Sequence, residues 1–459
     1  MSRMIGQDKF YALADEIISK TDNADVEINF FHNENALTRL ANSTIHQNVL
    51  KDSTDITIRV SRGDQIGVAS TNVVTPEGMF DCLMNALEIM KSSEPLEGFP
   101  GPAEPAEYKT NDTFVQATAD FGPAERAKVA AEAIARGKED GLILAGAVEN
   151  TSGELAIVNS KGVRAYQQLA SYGCNFVAMG EEKDDPPSGY AALVGRDVSN
   201  ADFEGTYDRA CRKAVLARNP VEIEPGEYDV VLEAAAFVEL IEWFNYISFS
   251  GQAVQDGRSP LAGRFGEKIT GDMVTIRDDA YSGNMLGLPF DFEGVPRQSL
   301  TLIDKGVANA VTQSRFSAAK EGVEPTGHGF GPGSMPSQSL PLNIRFNTGD
   351  HSLDEMVKKL DNGIQVTRFH YVNGLLDTRK AVMTGMTRDG AWIIENGEVK
   401  HAIKNLRFTD SMLECWKRIE ALENVAHPHG AWWSAIGSYD VPAALIRKFV
   451  FTGKTGKGS

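Results

Sequence analysis

Apolar positions along the chain change period several times, and each change marks an element. From Gln7 to Lys20 they recur at helical spacing. From Ala24 to Phe31 they alternate, with Val26, Ile28 and Phe30 on one side and Glu27 and Asn29 on the other, which predicts a strand. Ala36–Leu50 and Asp55–Ser70 predict two more strands, with Arg62-Gly63-Asp64 as a turn. Pro76–Met90 reads as a helix with proline in its first turn. Ser92–Glu107 carries four prolines and several glutamates, the composition of an extended linker. A helix over Pro123–Lys138 follows, then a β-meander over Leu142–Met179 with turns at Asn150–Gly153 and Asn159–Gly162. A helix over Tyr207–Ala217 ends this half, and Pro220–Gly226 is the expected boundary.

The second half opens with a strand at Tyr228, Val230, Val231 and Leu232. A helix follows, because Phe237, Leu240, Ile241, Phe244 and Ile247 form one apolar face. Ser248, Ser250 and Gly251 end it, and a glycine-punctuated loop leads on. Beyond it the chain reads mostly as strands: a hairpin over 301–314, a strand over Ala391–Val399 entering an Asn396-Gly397 turn, and a terminal strand over Val441–Phe451. Two helices interrupt them, Ser352–Leu360, with Ser352 and Glu355 as a capping box, and Asp410–Leu422. The fold class is therefore α+β: an N-terminal α/β half and a β-rich C-terminal half around a central helix. The expected domains are 1–100, 108–220 and 221–459.

Composition narrows the function. Of 459 residues 42% are hydrophobic, enough for a sizeable core. Against 45 lysines and arginines stand 63 aspartates and glutamates, a formal charge of −18, which speaks against nucleic acid as a partner. The four cysteines are scattered and form no CxxC pair, as expected of a reducing cytosol. No stretch has a signal-peptide core, and the most apolar run is broken by Glu233, Glu239 and Glu242, so no membrane span is expected.

The strand, helix and loop from Glu227 to Lys268 resemble the core of the TldD/PmbA family. Arg264–Glu267, Asp278-Asp279, Pro325-Thr326-Gly327, Gly363–Thr367 and the Ile393–Val399 string carry the likeness through the C-terminal half. The family contains metalloproteases and non-metal-binding partners. In the metal-binding members this helix carries His-Glu, three residues, then His, with a cysteine near the C-terminus. An ungapped match puts Glu242, Trp243 and Ile247 at those three positions. The resemblance thus implies a member near the PmbA-like, non-metal-binding side, with no cofactor of its own. It implies a subunit that binds peptide or unfolded polypeptide, or completes the cleft of a metal-bearing TldD-type partner in a homo- or hetero-dimer.

Cleft candidates by position are Glu239, Glu242, Trp243, Ile247, Arg264, Glu267 and His328, the last expected in an exposed loop. His427-Pro428-His429 is the one His-x-His, expected in a surface loop; a zinc held there would make the chain an independent peptidase. Trp432 and Trp433 beside it suggest an interface. A self-associating scaffold is the third reading. Gly322–Gly333 lacks the Gly-Lys-Ser/Thr of a phosphate loop, and no Gly-x-Ser-x-Gly elbow is present.

Overall fold

Two long strands, β1 (Asp25–Ala41) and β4 (Ile143–Asn159), lie side by side at the centre of a six-stranded antiparallel sheet. β2 (Thr44–Arg62) and β3 (Gln65–Thr71) extend it on one side, β5 (Arg164–Met179) and β6 (Ser188–Gly195) on the other. The computed structural model describes residues 4–21, 23–182, 186–282, 286–431 and 434–454. Helices Gln7–Ile18 and Pro76–Ser92 bury Val26, Ile28 and Phe30; helices Pro123–Glu139 and Phe203–Leu216 bury Leu40, Leu144 and Phe176.

Two expected boundaries in this sheet are corrected. The strand read through Ala36–Leu50 is broken by a hairpin turn at Asn42-Ser43, both with positive φ, a weaker signal than Asn-Gly. The turn read at Asn150–Gly153 is interior to β4. Asn150 is buried, donating to the Thr118 carbonyl (2.9 Å) and accepting from Arg126 (2.7 Å). A Cβ on Gly153 would stand 2.3 Å from the His32 carbonyl oxygen, so glycine serves close strand approach there.

The C-terminal half starts from β7 (Gly226–Leu232) and the central helix, Ala234–Ser248. β7 lies between β12 (Asn362–Asp377) and β19 (Ala444–Lys454); β15 (Leu406–Ser411) and β13 (Val382–Glu395) follow, and β13 pairs back onto β12, closing a five-stranded ring. β14 (Glu398–Ala402) and β16 (Ile419–Leu422) attach to it. A second six-stranded sheet runs β10 (Val307–Ala308), β9 (Leu300–Asp304), β8 (Ile276–Asp278), β11 (Asn343–Phe346), β18 (Ser434–Val441), β17 (His427–Ala431). The architecture is α+β, with the central helix among the sheets. Among the described residues no helix is long and apolar enough to cross a membrane.

The expected helical face is buried: Phe237, Leu240, Ile241, Phe244 and Ile247 all belong to one core cluster. Phe237 and Phe244 stack around Trp416, at 5.9 and 4.7 Å between ring centroids. The helix read over Asp410–Leu422 is corrected: β15 continues to Ser411, short helical turns carry Met412–Arg418, and β16 follows. Met412, Leu413, Cys415 and Trp416 are all buried, so this segment is core on several sides. The hairpin read over 301–314 returns for only two residues, Val307–Ala308.

Each half buries charge, and a hydrogen bond crosses between them. Arg59 of β2 grips Glu27 of β1 with two bonds, 2.6 and 2.7 Å. Asn29 donates to the Phe292 carbonyl (2.8 Å). Glu293 and Asp291 lie buried in that facing loop, Asp291 accepting from the backbone of Glu293, Val295 and Gly329. Arg297 reaches Asp278 at 2.6 Å, and His328 meets the same carboxylate oxygen at 2.8 Å. Burial opposes ionisation of Asp278, but Arg297 and His328 hold its carboxyl well below the usual range. Glu293 shifts the other way, pushed up by burial and by Asp291.

Two measurements check this account. Phe244→Ala should cost about 3–5 kcal/mol in urea denaturation, from lost burial plus a cavity; a cost near zero would mean another helical face is buried. Glu293 keeps its proton in the folded state, while the unfolded chain releases it above about pH 4. Its stabilising contribution is full below that pH and is lost as pH rises through about 8. Asp278 acts oppositely, its contribution being lost only as pH falls below the ordinary carboxylate range. From about pH 5 to 9 the native protein should therefore lose stability relative to Glu293→Gln. Parallel profiles would contradict the assignment.

Candidate functional site

The central helix passes the edge strands of both six-stranded sheets, and its polar residues define a junction between them. β6 ends the N-terminal sheet and β17 ends the second one; the two edges approach each other beside the helix without pairing. At the helix N-terminus, Glu233 takes the Lys213 ammonium (2.5 Å) and the Gln365 amide (3.0 Å), fastening helix Phe203–Leu216 and β12 to it.

Two turns on, Glu239 is half-buried, and burial pushes its carboxyl above the ordinary range against the pull of Arg368. Arg368, on β12, donates to Asp389 of β13 at 2.6 Å and lays its guanidinium over the Tyr190 ring of β6, 4.2 Å from the centroid. Asp389 is buried with a φ of 52°, at an irregularity within β13 that Asp tolerates better than most residues. His370 lies two residues beyond Arg368; burial and the nearby arginines hold its ring below the usual range. Charge from three chain segments thus meets over one aromatic ring.

The remaining positions fall as follows. Glu242 is buried, and Ile247 is part of the core. Trp243 is half-buried, edge-on to Tyr246 at 5.9 Å and against the backbone at Gly374. Arg264 and Glu267 pair with each other at 3.2 Å at the surface of the following loop. His328 is not an exposed loop residue: it has no exposed side-chain surface, and Thr326 and Asp278 occupy its two nitrogens. That correction follows from the buried Asp278, whose charge needs partners.

His427 and His429 lie in strand β17, not in a loop. His427 is exposed and bonded to Glu423 at 3.0 Å. His429 stands opposite Tyr439, whose hydroxyl accepts from Asn245 of the central helix (3.0 Å). The His429 Nε2 is buried without a hydrogen-bond partner, and burial, then His427, pushes the ring down to about 4. Trp432 and Trp433 lie outside the described residues.

These side chains do not fit a zinc centre on the helix. Such a centre needs at least three protein donors converging on one point. Trp243 and Ile247 supply none, and Ile247 is committed to packing. Tyr190, Arg368, His370 and Asp389 were missed in the sequence because they come from three separate strands; the alternation through Gln365–His370 was the available signal. An apolar cavity of about 250 Å³, lined by Phe31, Leu155, Phe292, Phe330 and Ile436, opens between the N-terminal sheet and the 292–333 loops.

Comparison with known proteins covers nearly the whole chain. Three domain models match in order: PmbA/TldA metallopeptidase domain 1 over 26–90, the central domain over 118–218 and the C-terminal domain over 225–453. A metalloprotease of Methanothermobacter thermautotrophicus is 25% identical over 382 residues, covering 80% of each chain. Metalloprotease PmbA of Escherichia coli O157:H7 is 23% identical over 380 residues, again covering 80% of each. The crystal structure of TldE from Thermococcus kodakarensis shares the fold, with a TM-score of 0.87 at 20% identity over 97% of this chain and all of that one.

Removing one partner from the junction should be costly. Arg368→Met leaves the buried Asp389 with only the more distant Arg388, at 3.9 Å, and should destabilise the protein by about 3 kcal/mol in denaturant titration. Adding Asp389→Asn should recover part of that loss; strict additivity of the two changes would show that the pair is not coupled.

Proposed function

The chain belongs to the PmbA/TldD metallopeptidase family, and from that premise we propose that it is a subunit without a zinc site of its own, which binds peptide or completes the cleft of a metal-bearing TldD-type partner. The observation that carries this reading is the donor set on the central helix. Glu242, Trp243 and Ile247 occupy the positions that the resemblance assigns to zinc chemistry, and two of the three offer no ligand atom. Nothing on this helix would polarise a peptide carbonyl through a metal.

What remains suits binding. β6 and β17 are edge strands of their sheets among the described residues, and an extended peptide could add to such an edge as a strand. Arg368 and Glu239 set charge beside them. Tyr246 of the helix, which meets Trp243, and Tyr371, Leu375 and Leu376 of β12, whose Gly374 lies against Trp243, are each more than half exposed, apolar surface of the kind that partners cover. A dimer in the cytoplasm, organised as domains 1–100, 108–220 and 221–459, completes the proposal.

One observation favours a second reading. The buried, unpartnered Nε2 of His429, with His427 two residues away, is the start of a relocated metal site, which would make the chain an independently active peptidase. Assembly separates the readings. Light scattering at micromolar concentration should give a dimer, and mixing with a homologue carrying the His-Glu-xxx-His helix should give a mass of one chain of each. A strictly monomeric mass in both samples would remove the partner-subunit reading.

A further inference from the structure

The middle of the N-terminal sheet carries a cluster that this function does not use. On β1 the even-numbered residues face the helices. One helical pair covers Val26, Ile28 and Phe30, the other covers Leu40. His32 and Glu34 fall between the two patches, on one face because they are two residues apart in a strand. β2 sets Asp52 opposite Glu34, and β4 sets Glu154 opposite His32. One ligand atom from each of His32, Glu34 and Asp52 lies within 4.8 Å of the other two.

The histidine ring supplies an independent observation. Its Nε2 is 3.0 Å from an Asp52 oxygen and its Nδ1 is 3.9 Å from a Glu154 oxygen. His32 is only 4% exposed, and Nδ1 has no hydrogen-bond partner among the described residues. A neutral imidazole has a single N–H, so one of its nitrogens must turn a lone pair toward a carboxylate. A cation held by Nε2 with the Asp52 and Glu34 oxygens removes that conflict. It takes the Nε2 lone pair and leaves Nδ1–H directed at Glu154, the way a metal-bound histidine is commonly oriented by a carboxylate behind it. Glu154 is built for that role: it is fully buried and fixed by the Ile5 and Gly6 amides (2.5 and 3.0 Å) and the Tyr166 hydroxyl (2.6 Å). Asp52 is exposed and Glu34 half-buried.

We propose that His32, Glu34 and Asp52 form a binding site for a divalent first-row metal ion such as Zn²⁺ or Mn²⁺, with Glu154 orienting the histidine. One imidazole with two carboxylates selects such ions over Mg²⁺ and Ca²⁺, which favour oxygen ligands alone. Three protein ligands leave a position for water. The ion would tie β1 to β2 and, through His32 and Glu154, to β4 and the segment at Ile5-Gly6. This site is separate from the central helix and is independent of the partner-subunit reading.

The test is calorimetric titration of the chelator-treated full chain with ZnCl₂, MnCl₂ and MgCl₂, supported by the visible spectrum of the Co²⁺ form. One Zn²⁺ per chain is expected, with Mg²⁺ binding much more weakly. Glu34→Gln and Asp52→Asn should each weaken Zn²⁺ by at least about tenfold, and His32→Ala should abolish the Co²⁺ bands. His427→Ala with His429→Ala should leave binding unchanged. Circular dichroism melting confirms that each variant is folded; Glu34, whose side chain is half-buried, is the change best tolerated. No zinc uptake by the folded native chain would overturn the proposal. Uptake unaffected by Glu34→Gln and Asp52→Asn, or removed by the His427 and His429 changes, would overturn it as well.

Discussion

The central helix is buried on most of its surface, and that constraint governs the rest of the C-terminal half. Phe237 and Phe244 close around Trp416, while Leu240, Ile241 and Ile247 fill the same core. A helix packed so tightly can present few side chains to a cleft. Of those it does present, Glu239 and Trp243 are half-buried, Glu239 near Arg368 and Trp243 against Gly374 of β12. Ile247 illustrates the trade: the position that the family resemblance associates with a ligand is here spent on packing.

The second constraint is charge inside the molecule. Glu27 and Arg59 of the N-terminal sheet face the buried Glu293 of the C-terminal half, while Asp278, Arg297 and His328 are buried together within that half. Buried ions add little net stability, but each depends on its neighbours, so the network penalises any other docking of the two halves. Tyr190 of β6 meets Arg368 of β12 beside the central helix.

Much of this was legible in the chain. The α+β class, the helical face at Phe237–Ile247, the capping box at Ser352 and Glu355, and the turn at Asn396-Gly397 follow from periodicity and local turn chemistry. Features set by tertiary contact were not legible. Asn150–Gly153 spells a turn but lies inside β4, because Asn150 finds buried partners and Gly153 admits a neighbouring strand. His328 reads as a loop histidine in a glycine-rich segment, and only Asp278, 50 residues earlier, explains its burial. The junction of Tyr190, Arg368 and Asp389 has no local signature, since each residue comes from a different strand. The Glu34–Asp52 contact likewise depends on strand register.

We propose that this member of a metallopeptidase family contributes binding surface, not metal chemistry, at the central helix. The most direct measurement is the rate of peptide hydrolysis in zinc-containing buffer, by the chain alone and by the chain mixed with a homologue that carries the His-Glu-xxx-His helix. The account predicts no hydrolysis by the chain alone and hydrolysis by the mixture that exceeds the homologue's own rate. Zinc-dependent hydrolysis by the chain alone, at a rate the partner does not change, would contradict it.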